Sequence, residues 1–150
     1  MTDPNFWLAA FGGFAGAYML SLAGYWMEGH LGLPRFDVAE SGKRYLGGDA
    51  PGWWVVGTLS HSINGILLGE LYAVTFYPIT AAWSTNVLVS LITGAFYGVV
   101  VWVVLLNLLV LPLSGAGPFG WNTGSAKLGY ATLALHIVFG AIVGLVYRPW

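Results

Sequence analysis

Four apolar runs separated by turn-forming residues constrain the fold of this chain more than any other feature. The runs cover residues 6–27, 53–77, 86–111 and 128–147. A helix needs about 20 residues to cross a hydrocarbon core of about 30 Å, so each run is long enough to span a membrane. Only 7% of the residues are charged and 57% are hydrophobic, so the chain cannot present a charged surface to water all round. We therefore expect an all-α, polytopic membrane protein, in which residues 1–150 form one four-transmembrane-helix bundle.

Residues typical of helix ends mark the borders of these runs. Asp3-Pro4-Asn5 and Ser84 are suited to begin the first and third helices, and Pro78 and Pro112 are suited to end the second and third. Residues 38–45 predict a short helix at the membrane surface. Most tryptophans lie near the predicted ends, where we expect them to anchor the helices at the membrane interfaces: Trp7, Trp26, Trp53, Trp54, Trp83, Trp121 and Trp150.

The basic residues favour one orientation in the membrane. The first and third loops, residues 28–52 and 113–127, carry four Lys and Arg residues, whereas Arg148 is alone on the other side. The positive-inside rule therefore predicts that these loops are cytoplasmic and that both termini lie outside.

An internal repeat organises the chain into two halves. The pattern H-x3-G-x3-G-x2-Y begins at His61 and again at His136, 75 residues later. In the preceding helices, Gly12-x3-Gly16 resembles Gly94-x3-Gly98. Each unit is then a two-helix hairpin, and units with an even number of spans share one orientation. We expect two parallel two-helix repeats related by a pseudo-twofold axis along the membrane normal.

The repeated His and Gly residues are the candidate site, and three interpretations of them stay open. His61 with Gly65, and His136 with Gly140, lie on one face of their helices because residues four apart are neighbours. The two imidazoles could ligate the iron of a haem b at matching depth, with Gly65 and Gly140 leaving room for the macrocycle. Alternatively the glycines allow close helix packing, and each His bonds a neighbouring carbonyl, Ser or Asn. A metal or proton-relay role is the third interpretation.

Local partners and one acid complete the set of polar residues inside the runs. Ser60, Ser62 and Asn64 adjoin His61 and could bond it. His30 falls at the membrane edge, where we expect an exposed loop residue. Glu70 is the acid placed well inside a span. It could reach toward the nearer interface, contact a partner, bind a proton or bond Asn107 on the third helix.

Several classes of function lack support in the sequence. The chain has no cysteine, which rules out disulfides, thiol catalysis and iron–sulfur clusters. A net charge of -1 argues against a nucleic-acid partner. No paired carboxylates, Ser/His/Asp set, phosphate-binding loop or H-E-x-x-H motif occurs, so we expect no catalytic activity of the protein's own.

One resemblance adds to these expectations. The segment His136-x3-Gly140-x3-Gly144-x2-Tyr147-Arg148, together with Gly32-Leu33-Pro34 after the first helix, resembles small uncharacterised bacterial four-helix integral-membrane proteins. The resemblance covers the second and fourth helices. It implies a multi-pass protein of the bacterial inner membrane and brings no established activity with it.

Three functions of different classes follow as hypotheses. The first is a structural or accessory subunit of a larger membrane complex, such as a respiratory electron-transfer assembly, with lipids and other membrane subunits or a copy of itself as partners. The second is a haem b electron carrier ligated by His61 and His136. The third is a small transporter or channel, for which the repeat and Glu70 are the support.

Overall fold

The computed structural model describes residues 4–31, 37–81, 86–110 and 126–148, and the regular elements in these ranges are helices. The all-α class predicted from the sequence is therefore confirmed. The helices are α1 (Phe6–Leu31), α2 (Ser41–Leu46), α3 (Trp53–Ala81), α4 (Val87–Val101) and α5 (Ala126–Val146). A 3-10 turn, Val38–Glu40, leads into α2, and α4 continues as a π-helix over Trp102–Val110.

Three stretches of the described helices are long and apolar enough to cross a membrane: Phe6–His30, Val87–Leu109 and Gly129–Val146. They make this a membrane-embedded helical protein. The α3 helix has 29 residues, more than a crossing needs. It is less apolar than the other three because it contains polar residues such as His61 and Glu70. The span predicted for residues 53–77 thus lies in α3, which is not among the three candidate membrane helices.

The long helices pack in the order α3, α1, α5, α4. Helix α1 lies between α3 and α5, and α5 lies between α1 and α4. The contact between α3 and α4 is smaller than any of these, although the two helices are consecutive in the chain. The bundle therefore has one closely packed side, at α1 and α5, and one loosely packed side, at α3 and α4.

Small residues bring α1 and α3 into backbone contact. A Cβ added at Gly65 would lie 2.5 Å from the Cβ of Ala17 and 2.8 Å from the carbonyl oxygen of Gly13. One added at Gly69 would lie 2.9 Å from the Cα of Gly13, and closer still to the carbonyl oxygen of Ala9. No Cβ fits at such distances, so these positions require glycine. Small residues four apart are the sequence pattern by which membrane helices approach this closely.

The same kind of contact joins α4 to α5. A Cβ at Gly140 would lie 2.5 Å from the backbone nitrogen of Gly98, and one at Gly144 would lie 2.8 Å from the Cα of Gly94. A Cβ at Gly144 would also overlap the carbonyl oxygen of Ser90. Both hairpins are thus held by direct backbone packing.

The glycines of α1 divide between two neighbours in a way that the Gly12-x3-Gly16 pattern does not predict. Gly12 faces the side chain of Val146 and Gly16 faces Phe139, both on α5. Gly13 is the residue that faces α3. Since neighbouring helical residues point about 100° apart, Gly12 and Gly13 cannot serve the same partner. The contacts of α1 therefore match those of α4 with an offset of 81 residues, and the predicted offset of 82 is wrong.

Two helix ends differ from the predicted ones. Pro78 was expected to end the second helix, yet it lies inside α3, which continues to Ala81. Proline has no N–H to donate, so one helical hydrogen bond is missing at Pro78, yet the helix continues for three more residues. Helix α1 likewise continues to Leu31, beyond the predicted limit at residue 27.

Asparagine side chains cap the two helices that begin on the side of the chain termini. The Asn5 side chain accepts a hydrogen bond from the Leu8 amide at 3.1 Å, and the Asn86 side chain accepts one from the Leu88 amide at 2.8 Å. Asparagine suits this position because its side-chain oxygen satisfies an amide that has no partner within the helix. Six other predicted end signals lie outside the described residues: Asp3, Trp83, Ser84, Pro112, Trp121 and Trp150.

The short helix predicted for residues 38–45 is present as the 3-10 turn followed by α2, and it is attached to the start of α3. Gly42 packs directly on the carbonyl of Trp53, where a Cβ would overlap it. Lys43 forms an ion pair with Asp49 at 3.0 Å and lies 4.5 Å over the Trp53 ring. The hydrogen bond to Asp49 raises the pKa of Lys43 above its ordinary value. The first connector is thereby tied to the end of the bundle.

Aromatic rings fill the bundle at its opposite end. The Tyr72 ring contacts those of Tyr97 and Tyr147 with centroids 5.2 Å and 6.2 Å apart. Phe76 lies 4.9 Å from Tyr97, and Tyr77 lies 4.8 Å from Tyr147. All four contacts are edge-on, the geometry that aromatic quadrupoles favour. These rings, rather than glycines, join α3 to α4.

Candidate functional site

His61 joins α3 to α1. Its Nε2 lies 3.2 Å from the carbonyl oxygen of Ala17, and because a carbonyl only accepts hydrogen bonds, Nε2 carries the hydrogen. The lone pair of this imidazole is then on Nδ1. Ser60 and Ser62, the local partners suggested by the sequence, donate instead to the carbonyls of Gly57 and Thr58. The expectation of a carbonyl partner is confirmed, and that partner belongs to another helix.

His136 has the opposite tautomer. Its Nδ1 lies 2.7 Å from the carbonyl oxygen of Thr132, one turn earlier in α5, so Nδ1 carries the hydrogen and Nε2 has the lone pair. The backbone of His136 is itself part of the α4 contact, since a Cβ on Gly98 would overlap its carbonyl oxygen. The ring is therefore held by its own helix, and the backbone that carries it is held against α4.

The two imidazoles lie in the same region of the bundle. Both are partly buried: His61 bonds Ala17 in the middle of α1, and Phe139, one turn after His136, packs on the adjacent Gly16. Each has one hydrogen bond to a backbone carbonyl and one ring nitrogen with a lone pair. A lone pair of this kind can accept a proton, a hydrogen bond or a metal bond. That the two rings share one ligand stays a prediction.

The pair does not fit a haem in this arrangement. His136 resembles a metal ligand, because ligating histidines commonly donate their other N–H to a carbonyl. His61 does not, since the nitrogen that extends furthest from its helix is bound to Ala17. The positions beside Gly65 and Gly140 are occupied by the backbones of α1 and α4, which leaves no room there for a macrocycle. Among the described residues, no group of three or more His, Cys, Asp or Glu side chains could hold a metal ion.

A polar cluster beside His136 escaped the sequence analysis. The Trp102 indole donates to the Thr132 hydroxyl at 3.1 Å, and that hydroxyl donates to the carbonyl of Gly129 at 3.0 Å. Asn107, which is 1% exposed, donates to the Trp102 carbonyl at 2.6 Å. The π-helix begins at Trp102 and contains Asn107, and π-helical turns are frequent at functional sites. The signal available in the sequence was a single Asn within a run of Val and Leu.

Asn107 is therefore not the partner of Glu70 that the sequence proposed. Glu70 is partly buried on α3 and makes no hydrogen bond or ion pair with any residue that the structure describes. It lies next to Gly69, which packs on Ala9 in the first turn of α1. Glu70 is thus about one turn inside the end of the neighbouring helix, within reach of the membrane interface.

His30 also differs from its predicted setting. It is exposed, but it lies in the last turn of α1 rather than in a loop. Its Nδ1 is 3.1 Å from the carbonyl of Trp26, and its ring stacks on that indole at 5.1 Å. It has no part in the region of the other two histidines.

Neither a protein-family model, nor a curated protein, nor a solved structure matches this chain.

Proposed function

We propose that this protein is a structural or accessory subunit of a larger membrane assembly, such as a respiratory electron-transfer complex, and has no catalytic activity of its own. The observation that carries the proposal is a stripe of exposed aromatic side chains along α1. Its members recur three or four residues apart, except for one longer interval, and each is at least 43% exposed: Trp7, Phe11, Phe14, Tyr18 and Tyr25. Aromatic side chains are enriched at protein interfaces, where they bury a large area at low cost in conformational entropy.

The packing of the interior supports the same proposal. Backbone contacts at Gly65, Gly69, Gly140 and Gly144 and the aromatic rings around Tyr72 occupy the space between the helices. The close contacts between helices make the bundle rigid, while many other large apolar side chains remain exposed on its outer surface. A subunit that contributes shape and surface to an assembly needs this distribution.

The proposal includes the architecture of four spans in two parallel repeats. Gly13 meets Gly65 and Gly69 in the first hairpin, and Gly94 meets Gly140 and Gly144 in the second. Equivalent residues of two units meet only near the symmetry axis, and the rings of Tyr72 and Tyr147, 75 residues apart, are in contact. We place the protein in a bacterial inner membrane with the termini outside. Cysteines introduced at positions 47 and 84 should then be labelled by an impermeant reagent from opposite sides.

Crosslinking in native membranes tests the proposed function. We expect the protein to be recovered with other membrane chains and to migrate above its 16.1 kDa monomer in a native gel after mild solubilisation. Exposed tryptophans such as Trp7, when replaced by a photoreactive analogue, should capture these chains more efficiently than a position in the first connector. Recovery of the monomer alone, from membranes in which known complexes survive solubilisation, would contradict the proposal.

The alternative function, haem b binding, disagrees with this arrangement, because backbones occupy the space beside Gly65 and Gly140. Ligation by both histidines requires His61 to leave Ala17. A visible absorption spectrum of protein isolated from haem-replete cells decides the matter, since a bis-imidazole haem gives a Soret band that substitution of either His by Ala abolishes. A spectrum without such a band removes this candidate and leaves the accessory-subunit proposal as it stands.

A further inference from the structure

One face of α3 repeats a pattern typical of helix–helix seams. Residues at intervals of four and three lie on a single stripe, because this spacing averages 3.5 residues per turn. We call this stripe the α3 seam, and its members are Ser60, Asn64, Leu67, Leu71, Val74 and Pro78. From Asn64 onward, all of them are exposed. Leu67 is 56% and Leu71 is 43% exposed.

The polar side chain of Asn64 distinguishes the α3 seam from an ordinary apolar stripe that faces lipid. Its carboxamide is exposed and makes no hydrogen bond to residues 4–31, 37–81, 86–110 or 126–148. Asn64 adjoins Gly65, which packs on Ala17 near the middle of α1. The carboxamide therefore lies far from either end of the bundle, where hydrocarbon offers it neither donors nor acceptors and leaving it unpaired is costly.

In the second hairpin, the residue equivalent to Asn64 packs against a neighbouring helix. The residue 75 positions after Asn64 is Phe139, which is 3% exposed and packs against Gly16 of α1. Asn64, at the equivalent position of α3, is exposed because α4 does not pack over it. The residue of α4 that corresponds to Gly16, 81 positions later, is Tyr97. The Tyr97 hydroxyl bonds the Leu68 carbonyl, and its ring fills space between α3 and α4. One hairpin thus covers this position and the other leaves it open.

We propose that a second copy of this chain covers the α3 seam, with Asn64 hydrogen-bonded to Asn64 of that copy. A carboxamide carries both a donor and an acceptor, so two of them satisfy each other across a twofold axis. Copies inserted in the same orientation place their Asn64 side chains at equal depth, as this pairing requires. The seam of Leu67, Leu71 and Val74 then packs on its own equivalent. A single Asn in such a seam fixes the register and the number of helices.

The inference rests on the proposed assembly of the protein with other membrane chains, and it names one of those chains. A lipid-covered seam is the competing arrangement. It provides no partner for Asn64. A different subunit that supplies a polar side chain at this depth is the other competitor, and crosslinking separates it from a homodimer by mass.

Because the chain has no cysteine, single introduced cysteines report on one position each. Leu67→Cys and Leu71→Cys should form disulfide dimers on oxidation of the full chain in phosphatidylcholine vesicles. Leu22→Cys on α1, where Leu22 is 46% exposed, is the matched control and should remain monomeric. Adding Asn64→Leu to Leu71→Cys should weaken dimerisation about fivefold, and Asn64→Gln should restore part of it. Asn64→Leu should leave the thermal unfolding of the monomer unchanged, since Asn64 has no internal partner among the described residues.

Three results would overturn the inference: equal crosslinking at Leu22→Cys, no effect of Asn64→Leu, or disulfides in native membranes between Leu71→Cys and a different chain only. The native assembly distinguishes its failure from that of the proposed function. If Asn64→Leu leaves a larger assembly that contains a single copy of this chain, the homodimer is refuted and the accessory function stands. If the wild-type chain is monomeric in both membranes and vesicles, both proposals fail.

Discussion

Replacing Gly140 by Ala tests whether backbone packing holds the second hairpin together. The added Cβ would lie 2.5 Å from the Gly98 nitrogen, whereas ordinary contact begins at 3.4 Å, and it would overlap the Gly94 carbonyl as well. Both obstacles are backbone atoms, so α4 as a whole has to move outward by about 1 Å, which also separates it from Gly144. Overpacking of this kind costs about 1–3 kcal/mol, and we expect the upper end because no side chain can rotate away.

Thermal unfolding in detergent, followed by circular dichroism, measures the effect. Gly129→Ala is the control in the same helix, because nothing lies within 4 Å of its added Cβ, and it should leave stability unchanged or raise it. Gly12→Ala should fall between the two, since its Cβ is tight only against the Val146 side chain, at 3.3 Å, and makes an ordinary contact with the Val143 carbonyl oxygen at 3.7 Å. If Gly140→Ala unfolds at the wild-type temperature while Gly129→Ala does too, backbone contact does not stabilise the hairpin and the reasoning fails.

Three further predictions concern single hydrogen bonds. His61→Ala should lower the free energy of unfolding by about 1 kcal/mol, because the interhelical bond to Ala17 is lost; chemical unfolding measures it, and no loss would contradict a packing role. Tyr147→Phe removes the hydroxyl that accepts from the Asn5 amide at 3.1 Å, so that amide should exchange with deuterium about fivefold faster, and an unchanged rate would count against the bond. The pKa of Lys43 is raised, so its ion pair should persist as pH rises past 10.5 and be lost only above the raised pKa. Carbon-13 NMR of labelled lysine follows this titration, and Asp49→Asn should bring the pKa of Lys43 back toward 10.5.

The helices were predictable from the sequence because an apolar run of more than 20 residues has few alternatives to a membrane helix. Their ends were less predictable. Pro78 carries a strong signal for helix termination, yet the cost of a missing hydrogen bond is small in a last turn that other contacts support. The π-helix that begins at Trp102 was not predicted, since its one polar residue within a run of Val and Leu, Asn107, does not reveal which carbonyl its carboxamide will bond.

The residues of the candidate site could likewise be identified from the sequence, whereas their hydrogen-bond partners could not. His61 and His136 stand out because a polar side chain inside an apolar run is costly unless it has a partner. The glycines stand out because their four-residue spacing is typical of close helix packing. The partners of the histidines could not be identified, because every residue type has a backbone carbonyl, and the sequence does not show that the carbonyl of Ala17 bonds His61. The bond between Trp102 and Thr132 joins residues 30 apart, and only the packing of α4 on α5 brings them together.

The unequal sides of the bundle determine how it can deform. Glycine contacts make each hairpin a rigid plate, and Gly16 against Phe139 joins the two plates closely along α1 and α5. On the other side Tyr97 stands between α3 and α4 as a spacer. The relative motion that this packing permits is a hinge movement about the α1–α5 edge. A force or a ligand at the α3–α4 edge acts at the greatest distance from this hinge. The Tyr97 ring lies between α3 and α4 and limits how closely the two helices can approach.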